Sequence, residues 1–317
     1  MTITRGSESM NWLITLFRKF YVSIAILTST AQGKMGFIIT LFTVLIALCA
    51  PLFPYPGPKW SNPTLQFALP STSPSLWYIL GTDYLGIPLV LDVIWGLRYF
   101  LEIGIIAGAL TISVGTLLGL LSGYLGGIID RTLNFAFNLV LTIPTFALWL
   151  VLAVIFRSGS PIILGIILGI LSWAGLARSI RAATIGVKNR DYVEASRLLG
   201  LSPLSVIVSD VIPAILPYIV MNFVLSIVSG FYGAMGLAFL GLIPFSNINW
   251  GAILNAAFYQ DAAIFSLSGT VPVLILVIIE SIILLGLIYF ANASVNVFDP
   301  RARRQVEIKL AIREESR

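Results

Sequence analysis

The chain of 317 residues is 58% hydrophobic and only 10% charged, where an ordinary soluble domain carries roughly 25% charged residues. Such a chain cannot bury its apolar surface in one core, so lipid must be its solvent along much of its length. The net charge of +5 does not point to nucleic acid, because the Lys and Arg lie between apolar runs and form no soluble basic face. Histidine is absent and Cys49 is the single cysteine. That excludes an intrachain disulfide, a Cys-based metal cage and the usual general base near neutral pH.

Residues 1–35 form a basic N-terminal segment. It has no short apolar core followed by a small-residue cleavage site, so no cleaved leader is expected. Residues 12–27 are apolar but interrupted by Arg18 and Lys19, which suits a helix lying on the membrane surface, with a further span as the alternative. About 20 apolar residues cross the hydrocarbon layer. Six segments satisfy that length: Gly36–Pro54, Phe100–Tyr124, Leu133–Phe156, Pro161–Ala177, Val211–Leu240 and Thr270–Ala293. The fold expected is therefore all-α and polytopic. Pro213 and Pro217 near the start of the fifth segment predict a kink or an interfacial first turn. Residues 55–99, rich in Pro, Ser and Trp, are expected as an external loop. Residues 100–293 then form a core of five spans, and 294–317 a charged tail.

With six spans, all nineteen Lys and Arg except Lys59, Arg98 and Arg157 fall on one side. The positive-inside rule makes that side, with both termini, cytoplasmic. The longest cytoplasmic connection is residues 178–210. Asp191 followed by Glu194 has the spacing of a capping box. Gly200 can stop that helix in a left-handed conformation. Ser202 can cap a second helix with Pro203 in its first turn. A rigid helix–turn–helix hairpin follows, with Val193, Leu198 and Leu199 giving it an apolar side.

Glu194, Ala195 and Ser196, then Gly200, then Ile212 and Leu216 with Pro217, resemble the EAA motif of ATP-binding-cassette importer permeases. Ser196 stands where that pattern has a third small residue, and the spacing to Pro217 is shifted by one or two positions. The likeness extends along the chain. Gly123-Tyr124-Leu125-Gly126-Gly127 followed by an acidic residue, Leu80-Gly81-Thr82-Asp83 with Leu85-Gly86, Ala50-Pro51-Leu52 before Pro54, and Asp299-Pro300-Arg301 are similar to the C-type subunit of the dipeptide/oligopeptide permeases. Ile87 and Pro88 replace the Arg-Asp usual in that family after the external Gly.

The resemblance implies a cell-membrane (inner-membrane) permease whose hairpin is a coupling helix seated on an ATPase subunit. Asp191, Glu194, Ala195, Ser196, Gly200, Pro203 and Pro217 would be the coupling residues. It further implies a second permease of the B type, two ATP-binding-cassette ATPase subunits and an external substrate-binding protein. The cargo would be dipeptides, oligopeptides, nickel complexes or oligosaccharides. No GxxxxGK[ST] loop is present, so ATP and Mg are expected on the partner ATPases and no cofactor or metal in this chain.

Within the spans, Glu280 is expensive in hydrocarbon and must face either the other permease or a translocation cavity. Glu102 is placed to snorkel at the outer end of its span. Asn222 and Asn255 can line the path, though a buried Asn more often bonds between helices. Gly104, Gly108, Gly115 and Gly119, and again Gly165 and Gly169, recur at helical spacing and predict close helix packing. An ion-coupled transporter or channel is the competing class. It calls for ionisable residues in several spans, whereas Glu280 stands nearly alone.

Overall fold

A computed structural model of the chain describes residues 22–70, 76–244, 249–260 and 265–298, with Arg304 and Ile308. The surface segment expected over 12–27 lies outside these except for residues 22–27, which are helical, with Val22 and Ile26 buried. The Asp299-Pro300-Arg301 ending lies outside the described residues. All named elements are helical, and the extended backbone includes one isolated bridge, between Thr82 and Pro88.

The first long helix, α1, covers Ala31–Cys49 and runs on through a 3-10 turn to Leu52. Helix α2, Leu89–Leu125, has 37 residues. It begins well before the expected Phe100, inside the segment expected as external loop. The polar residues there differ in their pairing. Asp92 is buried in the first turn, and neither of its carboxyl oxygens meets a hydrogen-bond partner among the described residues. Arg98 pairs with Glu102 one turn on at 2.8 Å. Gly96 lets the Trp250 indole approach so closely that a Cβ would sit 2.1 Å from its Nε1.

The third expected span is two helices, α3 (Gly127–Thr142) and α4 (Thr145–Phe156), bent by 73° at Ile143 and Pro144. Pro144 lacks the N–H that would continue the ladder. The fourth is also a pair, α5 (Pro161–Ile170) and α6 (Trp173–Lys188), bent by 50°. It runs past the expected end at Ala177. Next come α7 (Asp191–Leu198) and α8 (Pro203–Val206). A π turn over Ile207–Val211 joins α8 to α9 (Ile212–Phe239), which continues through Pro217. The short α10 (Trp250–Asn255) and the long α11 (Leu267–Val297) complete the described helices. Among the described residues, four helices are long and apolar enough to cross a membrane, or up to six if each bent pair is one span.

Helix α2 is the central element, packing on α5, α6 and α9, while α11 packs on α1 and α9. The glycines set these contacts. A Cβ at Gly104 would lie 2.7 Å from the Ile227 carbonyl of α9, and one at Gly119 2.6 Å from the Ala177 carbonyl of α6. At Gly165 and Gly169 the obstacles are Ile106 and Ala107 of α2. Close packing, the expected meaning of the glycine spacing, is what they provide. Phe100, Phe231 and Trp250 form an aromatic centre with centroids 5.1–5.9 Å apart. The Trp250 indole N–H donates to the Asp92 carbonyl at 2.7 Å.

Candidate functional site

At one end of the molecule α7 and α8 form the predicted hairpin. The N-cap of α7 is Arg190, which makes no side-chain capping bond, so Asp191 does not cap it as the capping-box spacing suggested. Both acids lie in the first turn instead, with Val193 at the third helical position where the box needs an acid, and they complement the positive end of the helix dipole. The turn is as expected. Gly200 has φ +78°. Its N–H donates to the Arg197 carbonyl at 2.9 Å, and that of Leu201 to the Ser196 carbonyl at 3.3 Å, a Schellman closure. Ser202 then accepts from the Ser205 N–H, with Pro203 in the first turn of α8.

The apolar side divides in two. Val193 is 0% exposed and packs with Val206, Val211, Ile180 and Tyr124, whereas Leu198 and Leu199 are 83% and 82% exposed. Leu204 is also exposed, at 71%. Glu194 and Ala195 are exposed, and no ion pair involves Glu194 among the described residues. The Ser196 hydroxyl donates back to the Tyr192 carbonyl at 3.2 Å.

Tyr124, the last turn of α2, fastens the hairpin to the helices, a link that sequence reasoning missed. Arg197 donates to the Tyr124 hydroxyl at 3.3 Å, and its guanidinium lies 5.0 Å from the ring centroid. The Lys188 ammonium stands 5.6 Å from the same ring and donates to the Tyr124 carbonyl at 2.5 Å. Beside it Arg181 makes a two-point bond to Asp130, at 2.6 and 2.7 Å, and the Ser122 hydroxyl donates to the same carboxylate. The start of α3, the middle of α6 and the end of α2 are thus tied together.

Two cavities hold the other candidates. Asn222 lines one of about 220 Å³ with Thr111, Ser172, Ser179, Ser226 and Ser229, and its amide donates to the Tyr218 carbonyl at 2.9 Å. Glu280 is buried beside a cavity of about 530 Å³ whose lining includes Tyr232, Phe239, Phe258 and Val277. Asn255 donates to the Phe239 carbonyl at 2.7 Å, the interhelical bond expected of it. Pro217 lies within α9 and lines neither cavity.

Away from the hairpin, the Asp83 carboxylate accepts the N–H groups of Leu85 and Ile87 at 2.8 and 2.7 Å. Gly86, at φ +74°, allows that turn. Burial pushes the Asp83 carboxyl from 3.8 up to about 6, against the opposing pull of the backbone bonds from Ile87, Leu85 and Gly86. Ile87 is itself fully buried.

Comparison with known proteins matches residues 115–304 to the family described as binding-protein-dependent transport system inner membrane component. The di/tripeptide transport system permease protein DppC of Pseudomonas aeruginosa is 32% identical over 235 residues, 71% of this chain and 76% of the relative. The dipeptide transport system permease protein DppC of Haemophilus influenzae is 30% identical over 218 residues, 67% of this chain and 73% of the relative. The oligopeptide transport system permease protein OppC of Mycobacterium bovis is 27% identical over 252 residues, 78% and 84% of the two chains. The matched region contains the hairpin, the Tyr124 contacts, the Glu280 cavity and the lining of the Asn222 cavity apart from Ala107 and Thr111. The chain belongs to the binding-protein-dependent transport system inner membrane component family, an inner-membrane protein akin to the OppC and DppC permeases.

Proposed function

We propose that this chain is one membrane-spanning subunit of an ATP-driven peptide importer, forming half of the translocation path and coupling ATPase closure to alternating access. The observation that carries the reading is the hairpin of α7 and α8. It is stiff, fastened by Arg197, and presents Leu198, Leu199 and Leu204 to its surroundings. A cluster of exposed leucines on a rigid projection is a protein-docking feature, and an ATPase groove is the partner that suits a permease of this family. Asp191 and Glu194 supply negative charge for basic side chains of that groove, and Ala195 and Ser196 permit close approach. Gly200 and Pro203 fix the turn, while Pro217 loosens α9 where the lever enters the span. The peptide cargo is supported by the names of the relatives.

In this reading there are six spans, α3 with α4 and α5 with α6 each making one, and both termini and the hairpin are cytoplasmic. Residues 1–35 include the surface helix, 55–99 the external region, 100–293 the permease core and 294–317 the tail. The partners are a second permease, two ATPases that hold ATP and Mg, and an external binding protein. ATP-driven approach of the ATPases would press the hairpins together and rock the spans. Purification of the assembled complex tests the proposal. Glu194→Lys and the paired change Leu198→Glu with Leu199→Glu should leave the chain inserted while releasing the ATPases or uncoupling hydrolysis from uptake. Uptake at the normal rate by these variants would overturn the lever, and uptake driven by an ion gradient without any ATPase would overturn the importer.

A further inference from the structure

We propose that the cavity lined by Asn222 is this subunit's half of a path for uncharged main-chain amides, an assignment that rests on the importer reading above. Three helices turn their hydroxyl and small residues into it. From α9 come Asn222, Ser226 and Ser229; from the break between α5 and α6 and the turns after it come Ser172, Gly175 and Ser179. Helix α2 contributes Ala107 and Thr111. Positions i, i+4 and i+7 on α9 fall on one helical face, so the polarity forms a stripe that leads along the helix.

The hydroxyls differ in how they are satisfied. Ser113 and Ser281, on exposed helix faces, donate back to Ala109 and Val277 carbonyls at 2.6 and 2.7 Å. That self-satisfaction is the usual state of a serine in an apolar setting. Ser172 and Ser179 do the same toward Leu168 and Gly175. Ser226, half-buried, and Ser229, exposed, meet no partner among the described residues, and the half-buried Asn222 amide uses only its donor side, toward Tyr218. Two hydroxyls and an amide oxygen are thus left for something in the cavity.

Its chemistry selects the class of visitor. Among the described residues the lining has donors and acceptors but no Asp, Glu, Lys or Arg, so none of them anchors a charged terminus or side chain. A peptide main chain offers alternating N–H and C=O groups that such a surface can exchange for water. At about 220 Å³ the cavity is smaller than the 300–1,000 Å³ typical of a ligand pocket, as suits one half of a shared passage. Weak, repeated and uncharged contacts would let side chains of any charge pass.

The test uses the whole complex in proteoliposomes, with Cys49→Ala to remove the native thiol and Ser226→Cys or Ser229→Cys added singly. A charged, water-borne methanethiosulfonate reagent should modify both thiols, with rates that differ severalfold between the nucleotide-free and the ATP–vanadate states. Trialanine delivered by the binding protein should slow modification at least threefold. Binding-protein-stimulated ATP hydrolysis, measured in the same vesicles, reports separately whether the importer reading stands. With hydrolysis intact, thiols inert in both states would make the stripe a protein-to-protein contact and overturn the path. Labelling that trialanine does not slow, or that maltotriose slows instead, would overturn the amide assignment.

Discussion

Replacing Gly200 isolates one physical quantity with unusual cleanness. A Cβ placed there meets nothing within 4 Å, so no packing change accompanies the substitution. What remains is the backbone, held at φ +78° by the two bonds that close α7. A left-handed conformation costs an L-residue roughly 1–2 kcal/mol. Gly200→Ala should therefore raise the open population of the turn by roughly 5–30-fold, and Gly200→Val, β-branched, by more. Gly200→Asn should recover most of the loss, since Asn tolerates this region. Hydrogen exchange of the Gly200 and Leu201 amides reads the change directly, and the ratio of peptide carried to ATP hydrolysed reads its consequence. Alanine exchanging at the native rate, or asparagine no better than alanine, would refute the argument from backbone strain. Native exchange with a lowered coupling ratio would place the effect at the partner surface.

Tyr124→Ala removes the ring beneath Lys188 and Arg197, each such cation–π contact being worth about 0.5–2 kcal/mol. The expected result is a fall in the coupling ratio with the chain still assembled. Tyr124→Phe keeps the ring, loses only the 3.3 Å bond from Arg197, and should stay near the native ratio; equal ratios for Ala and the native residue would remove Tyr124 from the linkage. Asp83 predicts a pH dependence. Its carboxyl is raised from 3.8 to about 6 in the fold, so the folded turn holds the proton that the unfolded chain has released across that window. Stability of the turn should be greatest below pH about 4, fall as pH rises to about 6, and level off above. Protection of the Leu85 and Ile87 amides measures it, and Asp83→Asn should flatten the profile; an unchanged profile would locate the titration elsewhere.

The sequence exposes those features that local physics decides. Apolar length located the long apolar helices, and Ser202, Pro203 and Gly200 marked the hairpin because caps and left-handed turns depend on a few neighbouring residues. Asp191 misled for the same reason. Its spacing to Glu194 is correct for a box, but α7 begins one residue earlier than that box requires, with Arg190 as the boundary. The bend between α5 and α6 is invisible to hydropathy, since Leu171 and Ser172 carry no breaker signal. The start of α2 was hidden because the contacts that hold it, Trp250 against Gly96 and the burial of Asp92, depend on tertiary packing. Tyr124 and Arg197 are 73 positions apart. No periodicity relates them.

The length of α2 carries a consequence for motion. At 1.5 Å per residue its 37 residues measure about 55 Å, nearly twice the roughly 30 Å of bilayer hydrocarbon. The helix is assigned without a break from the turn at Asp92 to the clamp at Tyr124, whereas the third and fourth expected spans each contain a bend. It joins the hairpin end to the aromatic centre around Trp250 as one continuous rod, with Thr111 of the polar cavity along its length. In the importer proposed above, a push received at Tyr124 would reach Asp92 as displacement of the whole rod. The flanking bent pairs are where the structure can absorb the difference.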